Sequence, residues 1–136
     1  MSKQTYTLAE LQTMPDADLN ALAAEMRDWK FSAAGILEDE NGQEVRQKDC
    51  VVFKLGTASE SYPYFWTPAT DRNQSGELLE WLIANGWRGA AYYTSPARIE
   101  IWHYNYGKNV QVAGWNARAE TIAFCAAMLA MEGRLK

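Results

Sequence analysis

Residues 62–87 constrain the fold most, because they place an aromatic strand, a polar corner and an amphipathic helix in direct succession. Pro68 has no N–H to donate to a strand ladder, so it predicts that the strand ends at this corner. Thr70 or Asp71 can cap the helix that follows, and Gly86 suits a left-handed residue at the helix end. The spacing predicts a buried helix stripe of Leu78, Leu79 and Leu82, widened by Trp81 and Ile83.

The first third of the chain predicts two helices. Thr7 and Glu10 have the spacing of a capping box around a short helical turn. A second helix is predicted to begin at Pro15 or Asp16 and to reach Trp29, because acidic residues favour a helix start and apolar residues recur at helical spacing. Its buried stripe consists of Leu19, Leu22, Met26 and Trp29.

The region between that helix and the polar corner carries weaker signals. The acidic segment 38–44 contains the pair Asn41-Gly42, which is a strong turn signal and predicts a hairpin tip. Short apolar strands are predicted at 51–55 and 62–66.

Beyond residue 87 the apolar and polar residues alternate, which predicts three adjacent antiparallel strands at 90–94, 98–104 and 110–115. In the central strand one face carries Ile99, Ile101 and His103, and the other carries Arg98, Glu100, Trp102 and Tyr104. Asn116 or the residue before it is expected to cap a last helix that ends at Gly133.

These elements predict an α+β fold with a single mainly antiparallel sheet and about three main helices packed on it. The arrangement is a two-layer or α/β/α sandwich. A chain of 136 residues with 48% hydrophobic residues is the size of one domain, which we place at 1–136.

The formal net charge of −4 is unevenly distributed, because residues 1–49 hold five Lys or Arg against ten Asp or Glu. An acid-rich surface repels phosphate and disfavours general duplex binding. The acidic half is either ordinary solvated surface or a patch presented to a basic partner. No apolar run is long enough to span a membrane, so we expect a cytoplasmic protein. Cys50 and Cys125 lie too far apart for a CxxC motif, and we expect reduced thiols.

Three segments together resemble the phage αβα sandwich domain family. They are the acidic-start helix that ends at Trp29, the corner 67–71 before a helix that ends in Gly86-Trp87, and the closing helix 117–130. The family comprises small proteins of tailed phages and prophages without a known molecular activity. The resemblance implies a viral origin, a sandwich fold and a location in the host cell cytoplasm, and it carries over no catalytic residue.

Catalytic chemistry has little support in the sequence. The single His103 is the first candidate for a general base, but on the isoleucine face a partly buried, hydrogen-bonded histidine is the more common outcome. An enzyme would need a pocket that joins His103 to Glu100 or Asp71. No cluster has the spacing of zinc ligands, and hydrolase and nucleotide-binding motifs are absent. We predict no catalytic residue, no metal and no cofactor, and we favour a protein that is not an enzyme.

Two sets of residues are candidates for binding. The helix start at Asp71, Arg72 and Asn73 favours anions, although it is more often only a capped helix end. The second set is the aromatic strand face, with Tyr92 or Tyr93 on a neighbouring strand. Such a face is core if a helix covers it, and otherwise a protein interface or a stacking surface for bases. The residues of this second set are Arg98, Trp102, Tyr104, Tyr106 and Trp115.

We therefore expect a phage or prophage accessory protein that acts as a non-enzymatic binding module. Its partner is expected to be a host or phage protein, or a second copy of itself, and not a membrane. One alternative is an anti-defence inhibitor whose acidic surface mimics nucleic acid. Another is a small protein that binds single-stranded nucleic acid through the aromatic strand with Arg98 and Arg118, although nucleic acid is the less favoured partner.

Overall fold

The computed structural model describes residues 4–47, 50–53, 65–94, 97–103 and 108–136, with side chains except at 50, 89–94 and 108. Within these ranges the helices are α1 (Leu8–Thr13), α2 (Asp16–Met26), α3 (Arg72–Ala84) and α4 (Ala117–Met131). The strands are β1 (Lys30–Phe31), β2 (Leu37–Glu38), β3 (Arg46–Gln47), β4 (Cys50–Val51), β5 (Trp87–Thr94), β6 (Ala97–His103) and β7 (Lys108–Ala113). The predicted α+β class is confirmed.

The helix starts follow the capping signals in the sequence. The Thr7 hydroxyl accepts the Glu10 N–H at 3.1 Å, and the Glu10 carboxylate accepts the Thr7 N–H at 3.0 Å, which completes the capping box of α1. Asp71 caps α3 and Asn116 caps α4 through their side-chain oxygens. Each cap binds N–H groups that the first helical turn cannot pair internally.

The second helix ends earlier than predicted, at Met26 rather than at Trp29. Asp28 takes a left-handed conformation with φ +59°, and the Trp29 N–H donates to the Ala24 carbonyl at 3.0 Å. This is the Schellman pattern of a helix end, here with aspartate in place of the usual glycine. It turns the chain back, so Trp29 leaves the helix stripe and packs its ring at 5.2 Å from Trp66.

The prediction of a single sheet with about three helices is wrong. Within the described residues there are four helices and three separate antiparallel sheets, paired as β1-β2, β3-β4 and β5-β6-β7. The first four strands have two residues each, because tight turns with left-handed glycines at Gly35 and Gly42 interrupt the region. The predicted hairpin tip is confirmed: Glu38 and Glu44 face each other across the turn. The predicted strand ends at 54–55 and 62–64 lie outside the described residues.

The three-stranded sheet has the predicted antiparallel order, with β6 in the centre. Ile99 and Ile101 are buried on one face with Val110 and Val112 of β7. Helix α4 packs on this face against β6 and β7, and α3 packs against β5 and α4. Helices α1 and α2 pack on α4, so α4 contacts both the sheet and the outer helices.

Small side chains allow this close packing of α4. The fully buried alanines are Ala123, Ala126 and Ala127, and they lie beside Phe124 and Leu129 in the core. On α3 the stripe of Leu78, Leu79 and Leu82 is buried, but Ile83 is 47% exposed and does not belong to it. In the described part of the chain, the helices are too short or too polar to cross a bilayer.

Candidate functional site

The side of the three-stranded sheet that faces away from α3 and α4 is a solvent-exposed surface, here named the open sheet face. Trp102 lies at its centre on β6 with 36% of its surface exposed. The Cα partners of Trp102 are Arg88 on β5 and Asn109 on β7, and both of these residues are exposed. Within the described residues, helices pack only on the opposite side of this sheet.

Arg98 and Glu100 lie on the same face as Trp102, because residues two apart on a strand share a face. The Glu100 carboxylate accepts a hydrogen bond from the Gln111 amide at 2.8 Å. Trp115 lies at the edge of the face, where its indole N–H donates to the Arg98 carbonyl at 3.1 Å and its surface is 37% exposed. The structure therefore brings three predicted residues, Arg98, Trp102 and Trp115, to one exposed surface.

Other members of the predicted aromatic set are not described at side-chain level. Tyr104 and Tyr106 lie outside the described residues. Tyr92 and Tyr93 are in β5, where their Cα partners are Ile99 and Arg98.

Residues of the predicted anion site at the start of α3 make bonds within the protein. The Asp71 carboxylate accepts the Asn73 N–H at 2.9 Å and the Gln74 N–H at 3.4 Å, which pairs two N–H groups of the first helical turn. Arg72 donates to the carboxylate of Glu120, a buried residue of α4, at 3.3 Å. The same Glu120 oxygen accepts the buried Ser75 hydroxyl at 2.8 Å. These bonds join α3 to α4 and lie apart from the open sheet face.

Buried amide groups hold the corner that precedes α3. The Gln74 side chain accepts the Thr67 N–H and donates to the Phe65 carbonyl, both at 2.7 Å. Asn20 of α2 supplies the other contacts: its carbonyl accepts the Trp66 indole N–H at 2.8 Å, and its side-chain oxygen accepts the Ala69 N–H at 2.9 Å. The corner is therefore fixed to α2 by groups that no local pattern predicts.

His103 is buried with 5% of its surface exposed, and its ring contacts Trp87 edge-on at 5.2 Å. Glu100 points to the opposite side of the sheet. Asp71 caps the start of α3, whereas Gly86, which lies next to the His103 ring, follows the end of this helix. The length of α3 therefore separates Asp71 from Gly86 by about 20 Å. His103 therefore lies beside neither Glu100 nor Asp71.

No group of three or more His, Cys, Asp or Glu side chains in the described part of the chain is placed to hold a metal ion. Cys125 is a free, fully buried thiol. Burial raises its pKa well above the ordinary range, and the carboxylate of Glu25 adds to the effect. The thiol is therefore protonated and inert in the folded protein.

An arginine stack is the main feature that the sequence did not reveal. The Arg27 guanidinium lies 4.3 Å from the ring centre of Trp29 and 4.5 Å from that of Trp81. Burial lowers the Arg27 pKa, while the nearby carboxylates of Glu40 and Glu77 oppose that shift. Trp29 and Trp81 are far apart in sequence. They meet at the Arg27 guanidinium because α2 ends at Met26 and the chain turns back before Trp29.

The acidic hairpin uses several of its carboxylates internally. Asp39 accepts the N–H groups of Asn41 and Gln43, each at 2.9 Å, and so holds the turn. Glu40 accepts the Trp29 indole N–H at 3.2 Å, and Glu44 pairs with Arg46 at 3.1 Å. These carboxylates have local structural roles in addition to their charge.

No protein-family model, curated protein or solved structure matches this chain. The resemblance to the phage αβα sandwich family stays a prediction.

Proposed function

We propose that this protein is a non-enzymatic binding module that contacts a partner protein through the open sheet face. The observation that carries the proposal is the exposure of Trp102 and Trp115 on a sheet whose other side is covered by helices. Tryptophan and arginine are the residues that most often dominate binding energy at protein interfaces, and Arg88 and Arg98 lie beside these rings.

The charge of the face indicates the kind of partner. Its described side chains include two arginines, Arg88 and Arg98, and one carboxylate, Glu100. The face is thus locally positive on a protein with a net charge of −4. A partner with acidic side chains around an apolar pocket for Trp102 complements it.

Capture of a partner by immobilised protein tests the proposal when it is repeated with matched variants. Trp102→Ala and Arg88→Ala are expected to lower recovery of the captured protein about tenfold or more, since truncating an interface anchor typically costs at least 1.4 kcal/mol. Met131→Ala is the control, because Met131 is a 40% exposed apolar residue at the end of α4. Equal recovery with all three variants would exclude the open sheet face.

A second candidate is binding of single-stranded nucleic acid on the same face. Arg88 directly across from Trp102 favours it, because a base can stack on the ring while the guanidinium contacts phosphate. Arg118 does not contribute, since it bonds Asp16 and the Gln12 and Met14 carbonyls at the junction of α1 and α2. Titration of a labelled single strand at low salt tests this function, and no binding at micromolar protein removes it.

A phage or prophage origin, with a host protein as the partner, remains part of the proposal. An anti-defence inhibitor that mimics nucleic acid would use the acidic hairpin instead. Because Asp39 and Glu40 hold structure, Glu38→Lys is the cleaner probe of mimicry. Unchanged capture of a nucleic-acid-binding host protein by Glu38→Lys would speak against mimicry through this hairpin.

A further inference from the structure

The outward side of α2 carries two adjoining hollows, here together named the α2 groove. One hollow of about 530 Å³ lies towards the N-terminal end of α2, and the other, of about 330 Å³, lies towards its C-terminal end. Ala21 and Glu25 line both hollows, so the two adjoin each other along the helix. The apolar side chains that line the groove are Tyr6, Met14, Ala21, Leu22, Ala24, Trp29 and Phe31.

Carboxylates dominate the rim of this groove. Among the described residues that line it, Asp18, Glu25 and Asp28 are exposed carboxylates, and Lys30 is the one cation. Asp18 and Glu25 are seven residues apart on α2, which places them on the same side of the helix, with Ala21 between them. The negative charge therefore runs along the groove instead of surrounding one point.

A neighbouring side chain responds to this charge. Burial raises the pKa of Tyr6, and the carboxylate of Glu25 raises it further, while Arg134 opposes the shift. Burial disfavours any charge at this position, and the Glu25 carboxylate adds a further penalty for an anion.

We propose that the α2 groove binds a basic amphipathic peptide segment of a partner protein, with apolar side chains on the groove floor and Lys or Arg side chains at Asp18, Glu25 and Asp28. Charge complementarity argues for this occupant, because the rim has a net charge of −2 among these residues and Lys30. The three carboxylates span about 15 Å along the helix direction, which matches about five residues of extended peptide.

This surface is distinct from the open sheet face. Helix α2 packs on α4, and α4 packs on β6 and β7, so the groove and the sheet face belong to elements on different sides of α4. The proposal therefore does not depend on the proposed function.

The test uses the full chain and a short fluorescein-labelled peptide of alternating lysine and leucine as the probe. Fluorescence anisotropy is expected to show saturable binding that weakens as salt rises from about 0.05 to about 0.5 M, because the rim charges are exposed and screened. Two control peptides replace lysine with glutamate, or leucine with serine. Neither is expected to bind, since the first reverses the charge and the second removes the apolar anchors.

Variants of the rim distinguish the groove from general attraction to an acidic protein. Glu25→Lys and Asp28→Lys are each expected to weaken probe binding about tenfold, because each turns an attraction into a repulsion. Glu80→Lys is the matched control: Glu80 is exposed on α3, and the substitution changes the net charge by the same amount. Ala21→Gln fills the junction of the two hollows without a charge change and is also expected to weaken binding.

Three results would overturn the proposal. If Glu25→Lys and Glu80→Lys weaken probe binding equally, the peptide is attracted by the net charge of the protein alone. Binding of the lysine and serine peptide as tight as that of the probe would show that the apolar floor is unused. A wild-type dimer that Glu25→Lys converts to a monomer would assign the groove to a second copy of this chain. Circular dichroism and thermal unfolding verify that each variant is folded.

Discussion

Gly86 ends α3 in a backbone conformation that strains other residues, and it also approaches a buried ring. Its φ is +103°, and a Cβ added there would lie 3.0 Å from His103 Nε2. We predict that Gly86→Ala lowers the free energy of unfolding by about 3 kcal/mol. The left-handed backbone accounts for about 1–2 kcal/mol of this. Displacement of the ring accounts for about 1–2 kcal/mol more, as in other overpacked cores.

Gly114 provides a matched control within the same chain. Its φ is +96°, close to that of Gly86, but the nearest atom to an added Cβ is Ala119 Cβ at 3.6 Å, an ordinary contact. Gly114→Ala is therefore expected to cost only the backbone part, about 1–2 kcal/mol. The His103 ring cannot move away cheaply, because it is 5% exposed and contacts Trp87.

Urea unfolding followed by tryptophan fluorescence measures these differences in the free energy of unfolding. A double-mutant cycle with His103→Ala isolates the contact, because removal of the ring should reduce the cost of Gly86→Ala to that of Gly114→Ala. Equal costs of the two glycine substitutions in the wild-type protein would refute the reasoning. So would a cost of Gly86→Ala that His103→Ala leaves unchanged.

Three further predictions concern buried or half-buried groups. Glu120→Ala is expected to lower the free energy of unfolding in urea by about 2 kcal/mol, because the buried Ser75 hydroxyl loses its carboxylate acceptor; Glu120→Gln should cost less. Arg27→Ala removes the cation that contacts two indole rings, so it should lower the free energy of unfolding by about 1–2 kcal/mol and shift the tryptophan emission. An unchanged emission spectrum would contradict the stack. In a Cys50→Ser variant, Cys125 should react with Ellman's reagent only on unfolding, because it is fully buried. Because the pKa of Cys125 is raised in the folded protein, the thiol loses its proton at a lower pH in the unfolded state. The free energy of unfolding should therefore fall as the pH rises above about 9. This fall should be smaller in Cys125→Ala.

Signals that act over a few residues predicted the structure well. The caps at Thr7, Asp71 and Asn116 depend on a side-chain oxygen and an N–H group two or three residues away, so the sequence contains both partners. The alternation in β6 likewise determined which residues share a face, and the structure confirms Ile99 and Ile101 as core. Local geometry was sufficient for these elements.

Features that join distant residues were not predictable in the same way. The two-residue strands before α3 are too short to show a period, and their positions depend on bonds such as that of the Leu37 N–H to the Val52 carbonyl at 2.7 Å. The exposure of Trp102 depended on which side of the sheet the helices cover, and alternation alone does not decide this. The Arg27 stack required the left-handed Asp28, which is an uncommon conformation for aspartate.

The place of α4 between two outward surfaces leads to a last prediction, that the open sheet face and the α2 groove act independently. Coupling would require α4 to shift, yet its Ala123, Ala126 and Ala127 are fully buried in close contact, and a packed interior resists such movement. Trp102→Ala should therefore change the affinity for the lysine and leucine peptide by less than about twofold. Coupling between binding sites is reciprocal, so Glu25→Lys should equally leave capture at the sheet face unchanged. Loss of peptide binding in Trp102→Ala would place both ligands on one surface and remove the separation that the packing of α4 implies.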